Sequence, residues 1–192
     1  MQKYIIFEGL DRCGKDTQVG LVQKSFSDET FHVFHYSKIP LETPEQNREY
    51  SERMYRDMFN VMIENKGENR NFIFNRSHLG ESVYAPLYRN YLGDYVFKIE
   101  EEYIEDLKSN LYLVVLVNEP SILISREDGD SLSKGEEDIA KEKQMFERAY
   151  FESKIQNKIL IDCGVDSPTE IAQIIKDFIL DSENRFLWLE HF

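Results

Sequence analysis

Short apolar runs alternate with longer segments of helical pattern along this chain. The first and fourth runs, YIIF and LYLVVLV, are apolar throughout and rich in Ile, Val and Leu. Strands that helices bury on both faces have this composition. We predict strands at Tyr4–Phe7, Phe31–Tyr36, Asn71–Asn75, Leu111–Val117 and Lys158–Asp162. Strands that alternate with helices predict an α/β fold with a five-stranded parallel sheet and helices on both faces.

The segments between the strands are long enough for helices. We predict these at Thr17–Phe26, Thr43–Asn65, Leu79–Tyr91, Lys98–Ser109, Glu119–Arg126, Glu136–Ile155 and Pro168–Leu180. Thr43 and Ser167 each stand before a proline, as a helix cap does. In the last helix we expect four residues at helical spacing to face the sheet, namely Ile171, Ile174, Ile175 and Phe178.

The length of 192 residues suits one domain with a substantial core, and we find no repeat or linker that would divide it. We therefore predict a single domain over residues 1–192. The polar, glycine-containing stretch Arg126–Asp138 is predicted to be a short lid between two helices. The tail contains five large apolar residues, Phe186, Leu187, Trp188, Leu189 and Phe192. We expect them to be buried, either over an edge of the sheet or in a homodimer contact.

The charge of the chain limits its partners. Asp and Glu number 36 against 23 Lys and Arg, a formal net charge of −13. This charge argues against binding long nucleic acid, which needs a cationic surface, although a small nucleotide can still be bound locally. We expect no membrane-spanning helix, because no apolar run approaches the roughly 20 residues required. Cys13 and Cys163 are the two cysteines, and free thiols in a reducing cytoplasm are the simplest interpretation.

The stretch FEGLDRCGKDTQ, Phe7 to Gln18, has the spacing of a phosphate-binding loop. Gly9, four residues, Gly14 and Lys15 stand between a predicted buried strand and a predicted helix, which is the context that such loops require. Backbone N–H groups of the loop and the Lys15 ammonium would hold the phosphates of ATP. The loop residues predicted to bind ATP and its phosphates are Gly9, Asp11, Arg12, Cys13, Gly14, Lys15, Asp16 and Thr17, and the family resemblance given below adds Arg126.

Asp16 departs from the usual loop, which has Ser or Thr at this position as a ligand of Mg²⁺. A carboxylate is also a hard oxygen donor, so we expect Asp16 to contact Mg²⁺ directly or through water. The alternative is a loop that no longer binds metal.

The phosphate loop resembles that of the thymidylate kinase family, which typically reads F-E-G-x-D-x-x-G-K-[ST]-T-Q. After the third strand the family has D-R-Y-x-x-S-x-x-A-Y-Q, and this chain has NRSHLGESVYA, where Arg76 and Tyr84 match in register. The resemblance covers nearly the whole chain in its order of strands and helices. It implies a P-loop kinase fold and ATP-dependent phosphorylation of a nucleoside monophosphate, with Mg²⁺ as cofactor and dTMP or a related pyrimidine deoxynucleotide as acceptor.

The resemblance also implies roles for individual residues. Asp11 would bind the 3′-hydroxyl of the acceptor, Arg76 and Lys38 its phosphate, and Tyr84 its base. Lys15, Arg12 and Arg76 would be catalytic, since phosphoryl transfer requires cations near the transferred group. In one branch of the family the phosphate loop supplies an arginine, as Arg12 does here, whereas the predicted lid is mostly acidic. Arg126 would contact the adenine or the phosphates of ATP.

The sequence differs from the family pattern at two positions that bear on metal binding and base preference. Asn75 stands where the family has an aspartate that helps to organise Mg²⁺, and Asp16 restores a carboxylate nearby, so we hypothesise that the two changes compensate. Ala85 replaces a glutamine near the base, which leaves base preference open. Aromatic residues that could line a base pocket, although each is more typical of a core, are Tyr36, Tyr55, Phe59 and Tyr88.

Three alternative functions are weighed against the monophosphate kinase. A deoxynucleoside kinase would need a carboxylate base, for which Glu8 is the obvious candidate. A GTP-binding switch would need N-K-x-D, but NKGE at Asn65 has Glu for Asp and lies in the wrong place. A catalytically silent nucleotide-binding protein is suggested only by Asp16 and Asn75.

Overall fold

The computed structural model describes residues 1–37, 40–126, 129 and 131–189, and for residues 185–189 the backbone alone. Within it five parallel strands form one sheet in the order β2-β3-β1-β4-β5. The strands are β1 (Tyr4–Gly9), β2 (Phe31–His35), β3 (Asn71–Asn75), β4 (Leu111–Val117) and β5 (Asn157–Asp162). This confirms the predicted α/β fold with a parallel sheet.

Helices connect the strands and cover both faces of the sheet. They are α1 (Lys15–Ser25), α2 (Pro44–Glu64), α3 (Leu79–Tyr88), α4 (Tyr95–Leu107), α5 (Pro120–Ile124), α6 (Glu136–Glu152) and α7 (Pro168–Leu189). Helices α1 and α7 pack together on one face, whereas α3 and α6 pack on the other, with α4 against α3 and α2 against α4. This double cover explains why β1 and β4 are buried along their whole length.

The predicted caps are present. Thr43 is the N-cap of α2, where its side chain accepts from Gln46 N at 3.2 Å and the Gln46 side chain accepts from Thr43 N at 3.3 Å. Ser167 and Glu170 exchange the same pair of hydrogen bonds before α7. These reciprocal bonds satisfy N–H groups that a helix start leaves without partners.

Two details of the last helix differ from the prediction. Ile171, Ile175 and Ile179 form its buried stripe, but Ile174 is 38% exposed at the solvent edge of that stripe, so the expectation that it faces the sheet is wrong. Helix α7 also continues to Leu189, nine residues beyond the predicted end. The side chains of the apolar tail lie outside the described residues.

The order of the strands positions the candidate site. Strand β1 lies between β3 and β4, and Phe7 is paired with Asn75, so the loop after β1 and the turn after β3 emerge side by side. Ligands of open parallel sheets bind at such carboxyl ends. No helix of the described residues is long and apolar enough to span a membrane.

Candidate active site

The loop from Gly9 to Lys15 curls back over the end of β1. Gly9 has φ of 129°, and a Cβ atom there would lie 1.9 Å from the carbonyl oxygen of Leu116 on β4. Gly14, at the start of α1, has φ of 80° in the left-handed region. Both positions therefore require glycine, as the phosphate-loop interpretation expects.

Lys15 is buried within this loop, with 6% of its surface exposed. Its Nζ atom donates to the carbonyl oxygens of Gly9 at 2.9 Å and Leu10 at 2.7 Å, and lies 3.9 Å from Asp11 Oδ1. Burial lowers the pKa of Lys15, and the nearby Arg76 lowers it further, while Asp11 acts in the opposite direction. A buried ammonium of this kind gains from an added anion, because the anion replaces the lost hydration.

A cavity of about 360 Å³, here called the phosphate cavity, opens over the loop. The loop and the start of α1 contribute Asp11, Arg12, Gly14, Lys15, Asp16 and Thr17. The opposite wall contains Asn75, Arg76, Arg126 and Ser131. The fold thus brings seven of the nine predicted ATP-binding residues to one cavity. Gly9 and Cys13, the other two, do not line it.

Gly9 and Cys13 support the loop from behind. Gly9 packs on β4, as described above, and the Cys13 N–H group donates to the carbonyl of Leu10 at 3.4 Å. The Cys13 side chain is buried, and burial raises the pKa of its thiol to about 12. The thiol is therefore neutral at physiological pH.

Arg12 joins the loop to the described part of the predicted lid. It has φ of 66°, an uncommon conformation for a residue with a side chain. Its Nη2 donates to Ser133 Oγ at 3.2 Å, and Arg126 Nη1 donates to the Arg12 carbonyl oxygen at 3.3 Å. These two hydrogen bonds hold the start of the lid segment, at Arg126, and its middle, at Ser133, against the loop. Of this segment Glu127, Asp128 and Asp130 lie outside the described residues.

Asp16 and Asn75 are in direct contact. Asn75 Nδ2 donates to Asp16 Oδ1, and His35 Nδ1 lies 3.2 Å from Asn75 Nδ2. The Asp16 side chain is 86% exposed toward the cavity opening, and Asn75 Oδ1 is buried with no hydrogen-bond partner among the described residues. A carboxylate and an amide oxygen are hard donors of the kind that Mg²⁺ prefers, so this pair fits that ion.

No cluster of three or more His, Cys, Asp or Glu side chains that could hold a metal occurs in the described part of the chain. A magnesium ion at Asp16 would therefore take most of its ligands from phosphate oxygens and water, as is usual for this ion.

A second and larger cavity of about 590 Å³, here called the acceptor cavity, adjoins the first. Asp11 and Arg76 line both cavities, and Arg76 Nη2 lies 2.9 Å from Asp11 Oδ1. Burial lowers the pKa of Arg76, but Asp11 and other acidic groups outweigh it, so the pKa is raised and the charge is retained. Arg76 also has positive φ, 71°, as Arg12 does. Backbone strain of this kind concentrates at functional sites.

Aromatic side chains line the acceptor cavity beyond Arg76. Tyr84 is 7% exposed, and its hydroxyl has no hydrogen-bond partner among the described residues. Tyr36, Tyr55 and Tyr88 also line this cavity, whereas Phe59 packs in the core against His78 and Tyr103. Lys38, the other residue predicted to bind the acceptor phosphate, lies outside the described residues.

Glu8 braces the turn that carries Arg76. One of its oxygens, Oε1, accepts from Ser77 N at 2.7 Å, Ser77 Oγ at 3.0 Å and Gly80 N at 2.9 Å. Glu8 is 2% exposed. These bonds hold the start of α3 against β1 and account for a buried carboxylate at this position.

Several residues of the site carry no sequence signal. Ser133 contacts Arg12, and His35 contacts Asn75, through loops and strands that meet only in the folded chain. Glu142 on α6 accepts a 2.6 Å hydrogen bond from Tyr88 Oη. Burial raises the pKa of Glu142, although the Tyr88 hydrogen bond acts against this.

The fold is similar to two solved structures. The YorR protein from Bacillus subtilis, solved in complex with phosphorylated GDP, superposes with a TM-score of 0.71 at 22% identity, over 95% of this chain and 98% of YorR. The thymidylate kinase from Candida albicans superposes with a TM-score of 0.68 at 14% identity, over 95% and 93% of the two chains. No protein-family model and no curated protein sequence matches. The chain thus has the thymidylate-kinase-like P-loop kinase fold, as the resemblance implied.

Proposed function

We propose that this protein transfers the γ-phosphoryl group of ATP to the phosphate of a deoxynucleoside monophosphate, dTMP or a related pyrimidine nucleotide, and so forms the diphosphate. The observation that carries the proposal is that two cavities meet at the Asp11–Arg76 pair. Phosphoryl transfer needs two phosphate-bearing substrates in line, and catalysis is then mostly positioning and neutralisation of charge.

Each cavity supplies a different part of this reaction. In the phosphate cavity, Lys15 and the start of α1 would bind the β- and γ-phosphates, and Arg12 would neutralise charge on the transferred group. Asp16, with Asn75 beside it, would hold Mg²⁺, which neutralises phosphate charge when it is bound. Arg126 would contact the adenine or the phosphates.

In the acceptor cavity, Arg76 would bind the acceptor phosphate and Asp11 the sugar 3′-hydroxyl. Tyr84 would pack on the nucleotide, and Lys38 would also contact its phosphate. An acceptor phosphate oxygen then attacks the γ-phosphorus, the bond from this phosphorus to the bridging oxygen breaks, and ADP leaves with the electron pair.

The setting of Glu8 favours a monophosphate over a nucleoside as acceptor. A nucleoside 5′-hydroxyl needs a base to remove its proton, whereas an ionised phosphate oxygen does not. Glu8 lines the acceptor cavity and is the candidate for that base, but its Oε1 atom accepts three hydrogen bonds that fix the side chain on the turn after β3 and leave only Oε2 for such a role. We therefore assign Glu8 to positioning Arg76.

ADP formation with ATP, Mg²⁺ and a panel of acceptors tests the proposal. The panel contains dTMP, the other deoxynucleoside monophosphates, the ribonucleotides and the free nucleosides. We expect turnover with at least one pyrimidine monophosphate and none with nucleosides. Turnover with nucleosides alone would instead support a nucleoside kinase, and no turnover with any acceptor would support a silent nucleotide-binding protein.

A further inference from the structure

A buried carboxylate, Glu81 on α3, stands beside the acceptor cavity. It is fully buried and accepts hydrogen bonds from Arg89 Nη1 at 2.8 Å, Tyr91 Oη at 2.5 Å and Tyr95 Oη at 3.0 Å. A buried charge is tolerated only when it is paired and hydrogen-bonded in this way. Glu81 therefore determines where the Arg89 side chain lies.

The backbone that carries Arg89 is equally constrained. Helix α3 ends at Tyr88, and the Arg89 N–H group donates to the carbonyl of Ala85 at 2.9 Å. The chain then folds back so closely that a Cβ atom on Gly93 would lie 2.1 Å from the carbonyl oxygen of Glu81. Such a close approach requires glycine and leaves Arg89 little freedom to move.

Arg89 lines the acceptor cavity with donors to spare. Its side chain is 23% exposed, and within the described residues Glu81 is its only side-chain hydrogen-bond partner. A guanidinium has five N–H donors and no acceptor. The remaining donors are therefore available to a ligand in the cavity.

Arg89 and Arg76 stand at opposite ends of α3. The helix has 10 residues, which corresponds to about 15 Å, with Arg76 before its start and Arg89 directly after its end. Tyr55 also lines the cavity, and burial, together with the nearby Glu81 and Glu8, raises its pKa, so its hydroxyl stays neutral. Both arginines line the acceptor cavity, so a nucleotide with its phosphate at Arg76 would have room to extend its base toward Arg89.

We infer that Arg89, held by Glu81, is the residue that selects the acceptor base, and that it selects bases with a carbonyl oxygen, 4-oxo pyrimidines or 6-oxo purines. The inference rests on the proposed phosphoryl transfer and specifies a functional group of the acceptor base, while the substrate pairs below decide between a pyrimidine and a purine. A guanidinium can donate to a carbonyl oxygen, but it opposes the amino group of cytosine or adenine with another donor. A site built to hydrogen-bond one substrate group rejects the analogue that lacks it.

Two substrate pairs isolate this contact, because dUMP differs from dCMP, and dGMP from dAMP, at the carbonyl or amino position. We expect the wild-type protein to prefer the oxo member of at least one pair by about 10- to 100-fold in kcat/KM. The pair that shows the preference identifies a pyrimidine or a purine acceptor. Equal use of oxo and amino members in both pairs would overturn the inference.

The Glu81→Gln/Arg89→Gln double variant removes both charges together, so that it leaves no unpaired buried carboxylate, and a thermal melt checks that it is folded. The amide that replaces the guanidinium can both donate and accept, so we expect the oxo preference to fall by about 10-fold while the KM for ATP is unchanged. Arg70→Gln, on an exposed residue paired with Glu68, is the matched control. An oxo preference that persists within about two-fold in the folded double variant would show that Arg89 does not read the base.

Calorimetric binding of the four nucleotides without ATP separates the two proposals. A binding preference for oxo bases that the double variant loses, without turnover of any acceptor, would support the role of Arg89 and refute the proposed kinase activity. Turnover of all four nucleotides without preference would support the kinase and refute the role of Arg89.

Discussion

The phosphate cavity and the acceptor cavity share Asp11 and Arg76 but are built in different ways. One side of the phosphate cavity comes from a single short segment, residues 11–17, of which all but Cys13 line the cavity, and this segment follows a buried strand. The acceptor cavity is assembled from β1, the loop before α2, the helices α2 and α3, and the loop after α3. A local motif therefore specifies the first cavity, whereas tertiary packing specifies the second.

We expect the replacement of Lys15 to reduce activity more than any other substitution proposed here. The loss should come from the phosphate cavity alone. Lys15→Met removes the buried cation that would contact the β- and γ-phosphates, and we expect kcat to fall by about 10²- to 10³-fold. The acceptor affinity, measured by calorimetry, should stay unchanged because Lys15 does not line the acceptor cavity. Lys24→Met, on an exposed residue of the same helix, is the control. A loss below about ten-fold would contradict the assigned role of Lys15.

A buried ion pair behind the acceptor cavity can be disrupted without changing any residue that lines the cavity. His78, before α3, and Glu100, on α4, are both fully buried with His78 Nε2 and Glu100 Oε2 at 2.8 Å, and Ser153 Oγ donates to the same oxygen. We expect Glu100→Gln to lower the free energy of unfolding by about 3 kcal/mol, since it breaks a buried pair. Denaturant unfolding measures this, with the exposed neighbour Glu101→Gln as control.

The same pair predicts a pH dependence. Burial would raise the pKa of Glu100, but the hydrogen bonds from His78, Lys154 N and Ser153 outweigh it and lower the pKa. A lowered carboxyl pKa contributes stability above the unfolded value of about 4.3, and this stability is lost as the pH falls through the folded pKa. Wild-type stability should thus fall more steeply than that of Glu100→Gln below about pH 4. Parallel pH profiles would show that Glu100 does not contribute in this way.

This contrast also explains what the sequence could predict. Periodicity and composition predicted the five strands because each is bounded by a change of pattern, and the phosphate loop because its spacing is local. For Asp16 and Asn75 the sequence predicted a compensating change of charge, but it did not predict that the two side chains are in direct contact. The Arg89–Glu81 and Arg12–Ser133 contacts depend on how loops return to the sheet, and no local pattern contains that information.

Replacing Arg76 tests whether the acceptor cavity binds the acceptor phosphate. Arg76→Met leaves the left-handed backbone occupied by a side chain, as in the wild type, but removes the cation that would contact the acceptor phosphate. Loss of hydrogen bonds to a charged group is worth about 2 kcal/mol, so the KM for the acceptor should rise by about 30-fold. The KM for ATP should change little, and Arg53→Met, on an exposed residue of α2, should change neither. A rise in the KM for ATP alone would show that Arg76 binds ATP and not the acceptor.

Asp16 and Asn75 both line the phosphate cavity, and they give the smallest but most specific test. Asp16→Ser removes the carboxylate expected to hold Mg²⁺, and we expect about a ten-fold loss of kcat/KM together with a higher Mg²⁺ requirement. Asn75→Asp alone would place two carboxylates in contact, since Asn75 Nδ2 now donates to Asp16 Oδ1, and should also reduce activity.

The Asp16→Ser/Asn75→Asp double variant has one carboxylate again, at the end of β3 instead of the start of α1. If the two residues compensate, the activity and the Mg²⁺ requirement of the double variant should return to within about three-fold of the wild type. In the double-mutant cycle, the effects of the two single substitutions should then be strongly non-additive. A double variant as inactive as the worse single variant would show that the carboxylate must stand at the start of α1. The chain would then use Asp16 in a way that the end of β3 does not reproduce, because a carboxylate on residue 75 starts from a different backbone position than one in the first turn of α1.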